Sequence, residues 1–131
     1  MTSLTINPDL PKRGEIWLVN FDPTVGAEIK KVRPAVVISS DSVGKLPIKL
    51  IAPITDWKTY FSSNFWHVKI EPNSINGLNK ASAIDTLQLR GMDLQRFIRK
   101  LGSVSEITML EVMASVATVI EFEVYNNLMN L

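Results

Sequence analysis

The amino-acid sequence predicts a mainly β domain, a small and strongly bent barrel that is followed by a C-terminal α-helix. Several short apolar runs, rich in β-forming residues and separated by turn residues, occupy residues 16–101 at close spacing. From about Ser105 the apolar residues recur at helical spacing instead. The 131 residues can bury a core without metal or disulfide support, so residues 1–131 are expected to form a single domain.

Three strands are predicted in the first half of the chain, at residues 16–21, 36–40 and 49–54. The first has few polar interruptions and is therefore expected to be buried on both faces. Gly44 and Pro47 mark the turn between the second and the third. Ahead of them, residues 1–12 are expected to be a flexible lead-in, because Pro8 and Pro11 interrupt any regular element.

Three more strands are predicted at residues 65–70, 83–89 and 96–101. The first of these alternates well enough for a half-buried strand, and Asn76-Gly77 is a turn signal that follows it. By alternation, His67 shares its strand face with Phe65 and Lys69. Since nothing acidic accompanies His67 in the sequence, we interpret it as structural or peripheral rather than catalytic.

The predicted C-terminal helix has a broad apolar face. Its helical repeat comprises Ile107, Leu110, Met113, Ala114, Ala117 and Ile120, and it is widened by Val112, Val116 and Val119. Ser103, with Glu106 three residues later, matches a capping box, and Ser105 is a rival N-cap. A helix this apolar needs a second surface to cover it. Its own barrel and a partner subunit both meet that need, and the pattern does not choose between them.

The residue content excludes several kinds of chemistry. Cysteine is absent and histidine occurs once, so disulfides, thiolate catalysis, common zinc sites and a two-histidine ribonuclease mechanism within one subunit lack the residues they require. No acidic pair at a metal-cluster spacing and no glycine-rich phosphate loop is present, so no cofactor is expected. The N-terminus lacks the features of a signal peptide, and no segment approaches about 20 apolar residues, so a cytoplasmic protein is expected.

The net charge of +1 is unevenly distributed. All 14 lysines and arginines lie within residues 1–100, whereas residues 101–131 contain four glutamates and no basic residue. A basic body of this kind can attract a polyanion locally. Ordinary solvated charge is the alternative, and the charge pattern alone does not decide between them.

Residues 13–39 are the most informative segment. Proline disfavours the helical conformation of the residue before it, so Arg33, which precedes Pro34, is expected to be extended at the mouth of a strand. A guanidinium held there is suited to a phosphate, although a lone Arg-Pro is more often a surface arginine beside a hairpin. The run RGEIWLVNFDP, then GAE and VRPAVVIS, resembles the start of the MazF/PemK-family toxins, the ribonucleases of bacterial toxin–antitoxin pairs. The resemblance continues through IAPIT, HVKI and AIDTLQLR, and it covers roughly residues 12–122.

The resemblance implies an SH3-like (CcdB/PemK-type) small barrel with a C-terminal helix, usually a homodimer. It also implies a metal-independent, sequence-specific endoribonuclease that cuts single-stranded RNA when the 2′-hydroxyl of the substrate attacks the adjacent phosphate. Arg33 matches the active-site arginine of the family, and Thr55 matches its active-site threonine. Glu28 matches an acidic loop position of some members and is a candidate general base or substrate contact.

Five further residues are candidates for RNA binding: Lys30, Lys31, Trp57, Gln88 and Arg90. The two lysines belong to the loop at residues 22–32, the tryptophan is suited to stack on an unpaired base, and the last two match a Gln-x-Arg element near the substrate groove of the family. The chain also departs from the family pattern. Leu87 stands where some members have an acidic residue to which catalysis has been assigned, and Ile29-Lys30-Lys31 replaces the usual Gln-Gly or Gln-Ala after the loop glutamate. The general base and the recognised RNA sequence therefore stay open.

A non-catalytic alternative is a CcdB-like toxin, which shares the barrel and binds DNA gyrase. The activity of those toxins depends on a tryptophan-containing C-terminal end, which residues 127–131 lack, while Arg33 and Thr55 are present. A degenerate member kept for interaction or regulation is a third possibility. A toxin of this family also implies a cognate antitoxin whose disordered acidic tail would bind the basic groove.

Overall fold

A computed structural model describes residues 10–122, which form seven β-strands and one α-helix. The strands are β1 (Glu15–Asn20), β2 (Val32–Val37), β3 (Ile48–Asp56), β4 (His67–Ile70), β5 (Ser82–Asp85), β6 (Arg90–Asp93) and β7 (Phe97–Ser103), and the helix is α1 (Glu106–Val119). The predicted class, mainly β with a C-terminal helix, is confirmed. The predicted lead-in falls largely on residues 1–9, which lie outside the described part of the chain.

Strand β3 organises the sheet. The hydrogen-bonded order is β4-β5-β3-β2-β1-β7, and β6 pairs with β3 off this path. Along one edge of β3, β6 pairs with residues 48–51 and β5 with residues 54–56, both antiparallel. The long strand β3 therefore pairs with two short strands, β6 and then β5, along one edge, and this bends the sheet into a small barrel-like shape.

The core lies on both sides of the central strands. Ile16 of β1 and Val36 of β2 belong to one buried cluster, which Val112 of α1 joins from above the sheet. Trp17 and Val19 belong to a second cluster on the opposite side. Because successive residues of a strand point to opposite faces, β1 contributes to both clusters, and its predicted burial on both faces is confirmed.

The carboxylate of Glu15 fixes the start of β1. Lys100 Nζ lies 2.9 Å from Glu15 Oε2, and both the Trp17 indole N–H and the Lys12 backbone N–H donate to Oε1, at 3.0 and 2.9 Å. Burial by itself raises the pKa of Glu15, but these hydrogen bonds and the charge of Lys100 outweigh it, so the pKa of Glu15 lies below 4.5.

Three strand boundaries differ from the prediction at or near candidate site residues. Strand β2 begins at Val32, so Arg33 lies inside a strand, and β3 runs on to Asp56, so Thr55 does too. The predicted strand over residues 83–89 is wrong in its second half. The side chain of Asp85 accepts hydrogen bonds from the backbone N–H groups of Leu87 and Gln88 and caps a 3-10 turn over Thr86–Gln88. Strand β6 follows that turn and was not predicted.

Helix α1 begins after Ser105, whose Oγ accepts a hydrogen bond from Thr108 N at 3.1 Å. Ser105 is therefore the N-cap rather than Ser103, which lies in β7. On the outer face, Ile107 and Leu110 are 72% and 69% exposed, so the barrel of this chain covers only part of the apolar surface. Among residues 10–122, no helix is long and apolar enough to cross a membrane.

Candidate RNA-binding and catalytic grooves

Arg33 and Thr55 line one groove of about 450 Å³, which we call the Arg33 groove. The register of the sheet brings the two strands together at this point. Ala35 of β2 pairs with Pro53 of β3, and Arg33 and Thr55 each lie two residues beyond that pair. Residues two apart on a strand share a face, so Arg33 lies on the face of Ala35 and Thr55 on the face of Pro53. Both side chains are half-buried, so a guanidinium and a hydroxyl meet where solvent can still enter.

The Arg33 groove is basic. Besides Arg33, the side chains of Lys80 and Arg99 line it, and Asp56 is the carboxylate among its lining residues. Asp56 Oδ2 lies 3.0 Å from Lys80 Nζ, whereas no ion pair joins either arginine to an acidic group among residues 10–122. Two guanidinium groups without a carboxylate partner in that range suit an anionic ligand. The sequence carries no signal for Lys80, Arg99 and Asp56, because these residues become neighbours only in the folded chain.

One wall of the Arg33 groove is a rigid turn. Asn76, which is 1% exposed, accepts hydrogen bonds at Oδ1 from the backbone N–H groups of Asn73 and Leu78, at 3.2 and 3.0 Å. Its amide donates to Glu71 O at 2.8 Å. Gly77 follows at φ +70°, which confirms the predicted turn at residues 76–77. The turn that forms this wall is therefore held in place by the hydrogen bonds of the buried Asn76 side chain.

Glu28, Gln88 and Arg90 line a second groove of about 500 Å³, which we call the loop groove. The structure does not bring Glu28 into the lining of the Arg33 groove. Glu28 is exposed, and its Oε1 accepts a hydrogen bond from Val25 N at 2.6 Å. Strand β3 contributes to both grooves, because Pro53 lines the loop groove and the next two residues line the other.

The side-chain amide of Gln88 is engaged within the protein. Its Oε1 accepts a hydrogen bond from Ile29 N at 2.7 Å, and its Nε2 donates to Asp85 Oδ2 at 3.1 Å. Gln88 therefore ties the loop of residues 22–32 to the 3-10 turn. A base-edge contact by Gln88 would have to replace one of these hydrogen bonds.

Arginine side chains hold the start of the same loop. Arg90 Nη1 donates to Phe21 O at 3.3 Å, and Arg96 Nη1 donates to Asp22 O at 2.6 Å. Further along, Lys31 N donates to Asp22 Oδ1 at 2.9 Å, and Lys31 itself is exposed, as is Lys30. The backbone of the loop is thus secured at its base, while both lysine side chains face solvent. Neither lysine is part of the lining of either groove.

Trp57 lies just beyond Thr55 at the end of β3. Its ring contacts Phe61 edge to face, with centroids 5.8 Å apart, and Lys69 Nζ lies 5.0 Å from its centroid. It is half-buried and lines neither groove.

The interpretation that nothing acidic accompanies His67 is wrong. Register pairs His67 with Asp85, and His67 Nε2 lies 3.6 Å from Asp85 Oδ2. Asn64 Nδ2 lies 3.2 Å from Nδ1, and the ring stacks on Phe61 at 3.8 Å between centroids. The acidic partner is 18 residues away in sequence, so only strand pairing reveals it. His67 lines neither groove and holds the aromatic cluster and Asp85 together.

Within residues 10–122, no group of three or more histidine, cysteine, aspartate or glutamate residues is arranged to hold a metal ion.

Comparison with known proteins identifies the relatives of this chain. A family model described as PemK-like, MazF-like toxin of type II toxin-antitoxin system matches residues 12–120. The chain is 36% identical over 104 residues to a protein named Endoribonuclease MazF from Staphylococcus epidermidis, which covers 77% of this chain and 83% of that protein. The fold is similar to the crystal structure of MazF (Form-I) from Deinococcus radiodurans, with a TM-score of 0.72, 21% identity, and coverage of 86% of this chain and 97% of that one. It is also similar to an endoribonuclease in complex with its cognate antitoxin from a mycobacterial species, with a TM-score of 0.68, 14% identity, and coverage of 86% and 97%.

Proposed function

The chain belongs to the PemK-like, MazF-like toxin family of type II toxin–antitoxin systems, and we propose that it is an endoribonuclease that cuts single-stranded RNA at the Arg33 groove. The observation that carries the proposal is the convergence of Arg33 and Thr55 on one basic groove. A relative with 36% identity that is named an endoribonuclease supports the activity. A gyrase-binding, CcdB-like toxin is not favoured, because the relatives are ribonucleases.

The proposed reaction needs no cofactor, since the substrate supplies the nucleophile. The 2′-oxygen attacks the adjacent phosphorus, the bond from phosphorus to the 5′-oxygen breaks, and a cyclic phosphate and a 5′-hydroxyl are left. A base removes the proton of the 2′-hydroxyl, and an acid returns one to the departing 5′-oxygen. Arg33 stabilises the charge that develops on the phosphate oxygens, because its guanidinium is a permanent cation with several N–H donors. The hydroxyl of Thr55 hydrogen-bonds the phosphate or the attacking oxygen.

We propose Glu28 as general base or substrate contact, since the loop that carries it borders the adjacent loop groove. Asp56 is the alternative base, because it lines the Arg33 groove itself. The pH profile distinguishes these roles. Glu28→Gln removes the acidic limb of the kcat profile if Glu28 is the base, and it raises KM alone if Glu28 only contacts RNA. The matched variant Asp56→Asn applies the same test to the second carboxylate.

The remaining basic residues are proposed to bind the RNA strand. Lys30 and Lys31 face solvent from the loop and are suited to backbone phosphates. Arg90 uses one guanidinium nitrogen to hold Phe21 O, which leaves others for a phosphate. Gln88 contributes by holding the loop, unless RNA displaces its bond to Ile29.

We further propose a cognate antitoxin, a homodimer and a cytoplasmic location. An acidic antitoxin segment would complement the three cations of the Arg33 groove, and one structural relative was solved with its cognate antitoxin. The exposed Ile107 and Leu110 of α1 give a second subunit an apolar surface to cover.

The test uses purified protein, a long unstructured RNA and EDTA. We expect discrete cuts with cyclic-phosphate ends, and Arg33→Ala should slow cleavage by about a hundredfold or more. Lys45→Ala is the matched control, because Lys45 is exposed and lines neither groove. Cleavage at the parental rate by folded Arg33→Ala, or intact RNA with wild-type protein, would refute the proposal.

A further inference from the structure

A row of side chains leads away from the Arg33 groove across four adjacent strands. Thr55 of β3 pairs with Ala83 of β5, and Ala83 pairs in turn with Lys69 of β4. Arg33 and Thr55 line the same groove, so the row runs from Arg33 of β2 through Thr55 and Ala83 to Lys69 of β4. Residues that pair directly share one face of the sheet. Ala83 is fully buried and carries only a methyl group, so Thr55 and Lys69 flank a small, uncharged residue on the strand between them.

Trp57 adds an aromatic ring to the same face. It lies two residues beyond Thr55, and its backbone N–H donates to Ala81 O at 3.1 Å, which continues the pairing of β3 with β5. Residues two apart on a strand point to the same side and lie about 7 Å apart. That spacing is comparable to the separation of neighbouring phosphates in an unstacked strand. Lys69 Nζ lies 5.0 Å from the centre of the Trp57 ring.

Resting on the proposed function, we propose that Trp57 and Lys69 form a subsite for one unpaired nucleotide next to the scissile phosphate. The base stacks on Trp57, and Lys69 binds the phosphate of that nucleotide. This assigns Lys69 a role in RNA binding and gives Trp57 a defined place, two residues beyond Thr55 and one nucleotide from the scissile phosphate.

The contacts of Lys69 in the free protein are replaceable. Its amine lies 3.8 Å from Glu71 Oε2, and both side chains are about half exposed or more, so this ion pair is weak. An exposed cation–π contact is also weaker than stacking of a base on an aromatic ring. The base of an incoming nucleotide therefore displaces Lys69 from the Trp57 ring, and the phosphate of that nucleotide binds the ammonium group of Lys69.

The test measures binding of a short, uniformly 2′-O-methylated RNA of mixed sequence, which cannot be cut by attack of the 2′-oxygen. Trp57→Leu keeps an apolar side chain against Phe61 but cannot stack, whereas Trp57→Phe can. We expect the leucine variant to bind about tenfold more weakly than wild type and the phenylalanine variant to recover most of that loss. Lys69→Gln should reduce the slope of log K against log salt by about 0.7, while Trp57→Leu leaves the slope unchanged.

Two control variants carry matched changes away from the row. Phe122→Leu removes an aromatic side chain that is 53% exposed beyond the end of α1, and Lys45→Gln removes the charge of an exposed lysine outside the row. Neither should change affinity by the amounts expected for Trp57 and Lys69. Thermal melting of every variant confirms that it is folded.

The outcomes separate the subsite from the activity. If wild-type protein cuts RNA but Trp57→Leu and Lys69→Gln bind with unchanged affinity and salt slope, the subsite is refuted and the nuclease stands. If wild-type protein binds the oligonucleotide without cutting RNA, the nuclease is refuted, and weaker binding by both variants still supports the subsite. If wild-type protein does not bind the oligonucleotide, the subsite is refuted.

Discussion

Gly77 is predicted to be among the least replaceable residues of the wall of the Arg33 groove. A Cβ added at Gly77 would overlap the backbone oxygen of Leu101 and lie 2.8 Å from its carbonyl carbon, well inside the normal contact distance of about 3.5–4.0 Å. Gly77 also has a φ of +70°, where any side chain is strained. The wall and β7 approach each other through backbone atoms at this point, so no side-chain rotation can relieve the contact.

The magnitude follows from adding the two effects. A left-handed conformation costs a non-glycine residue about 1–2 kcal/mol, and overpacking costs about 1–3 kcal/mol. Gly77→Ala should therefore lower the free energy of unfolding by roughly 2–5 kcal/mol. At about 4 °C per kcal/mol for a chain of this size, the melting temperature should fall by roughly 8–20 °C.

Alanine variants at two other glycines separate the cost of the close contact from the cost of the left-handed backbone conformation. Gly14 and Gly26 have φ values of +85° and +58°, on either side of that of Gly77, but a Cβ at either would meet nothing within 4 Å. Their variants should show the conformational cost alone, about 1–2 kcal/mol. Thermal and urea unfolding followed by circular dichroism provide the measurement. If Gly77→Ala is no less stable than Gly14→Ala, the close approach of the turn to β7 is wrong.

Three further predictions test other parts of the structure. The pKa of Glu15 is lowered in the folded state, so the contribution of Glu15 to stability is present above its unfolded pKa of 4.5 and is lost as pH falls through the lower folded value. Glu15→Gln should therefore weaken the dependence of the urea unfolding midpoint on pH below neutrality. An unchanged pH profile would contradict this role of Glu15. Gln88→Leu removes the acceptor of Ile29 N, so hydrogen exchange at that amide should speed up and kcat/KM should fall about tenfold, whereas Gln95→Leu changes neither. Ser105→Ala should cost about 1 kcal/mol in chemical unfolding because the N-cap of α1 is lost. Ser103→Ala should lower the free energy of unfolding clearly less than Ser105→Ala does. A larger loss for Ser103→Ala would instead indicate that Ser103 caps the helix.

Local chemistry accounts for the parts of the fold that were predicted correctly. The uninterrupted apolar run of β1 indicates burial on both faces, and the change of apolar period after Ser105 marks the helix. The prediction failed at Asp85, where a carboxylate that bonds the following N–H groups ended a strand that β-propensity would have continued. Arg33 and Thr55 were predicted as site residues through resemblance to a family, because neither residue type alone indicates catalysis.

The sequence by itself determined the mainly β class, the terminal helix, the absence of cysteine chemistry and the residues that match the toxin family. The tertiary structure decided which of those residues meet: Arg33 with Thr55 in one groove, and Glu28 with Gln88 in the next. It also joined His67 to Asp85 and set Lys69 beside Trp57. These pairs depend on strand register, and a shift of one residue turns every side chain of a strand to the other face. Local sequence preferences do not specify that register, because it results from the packing of the whole barrel.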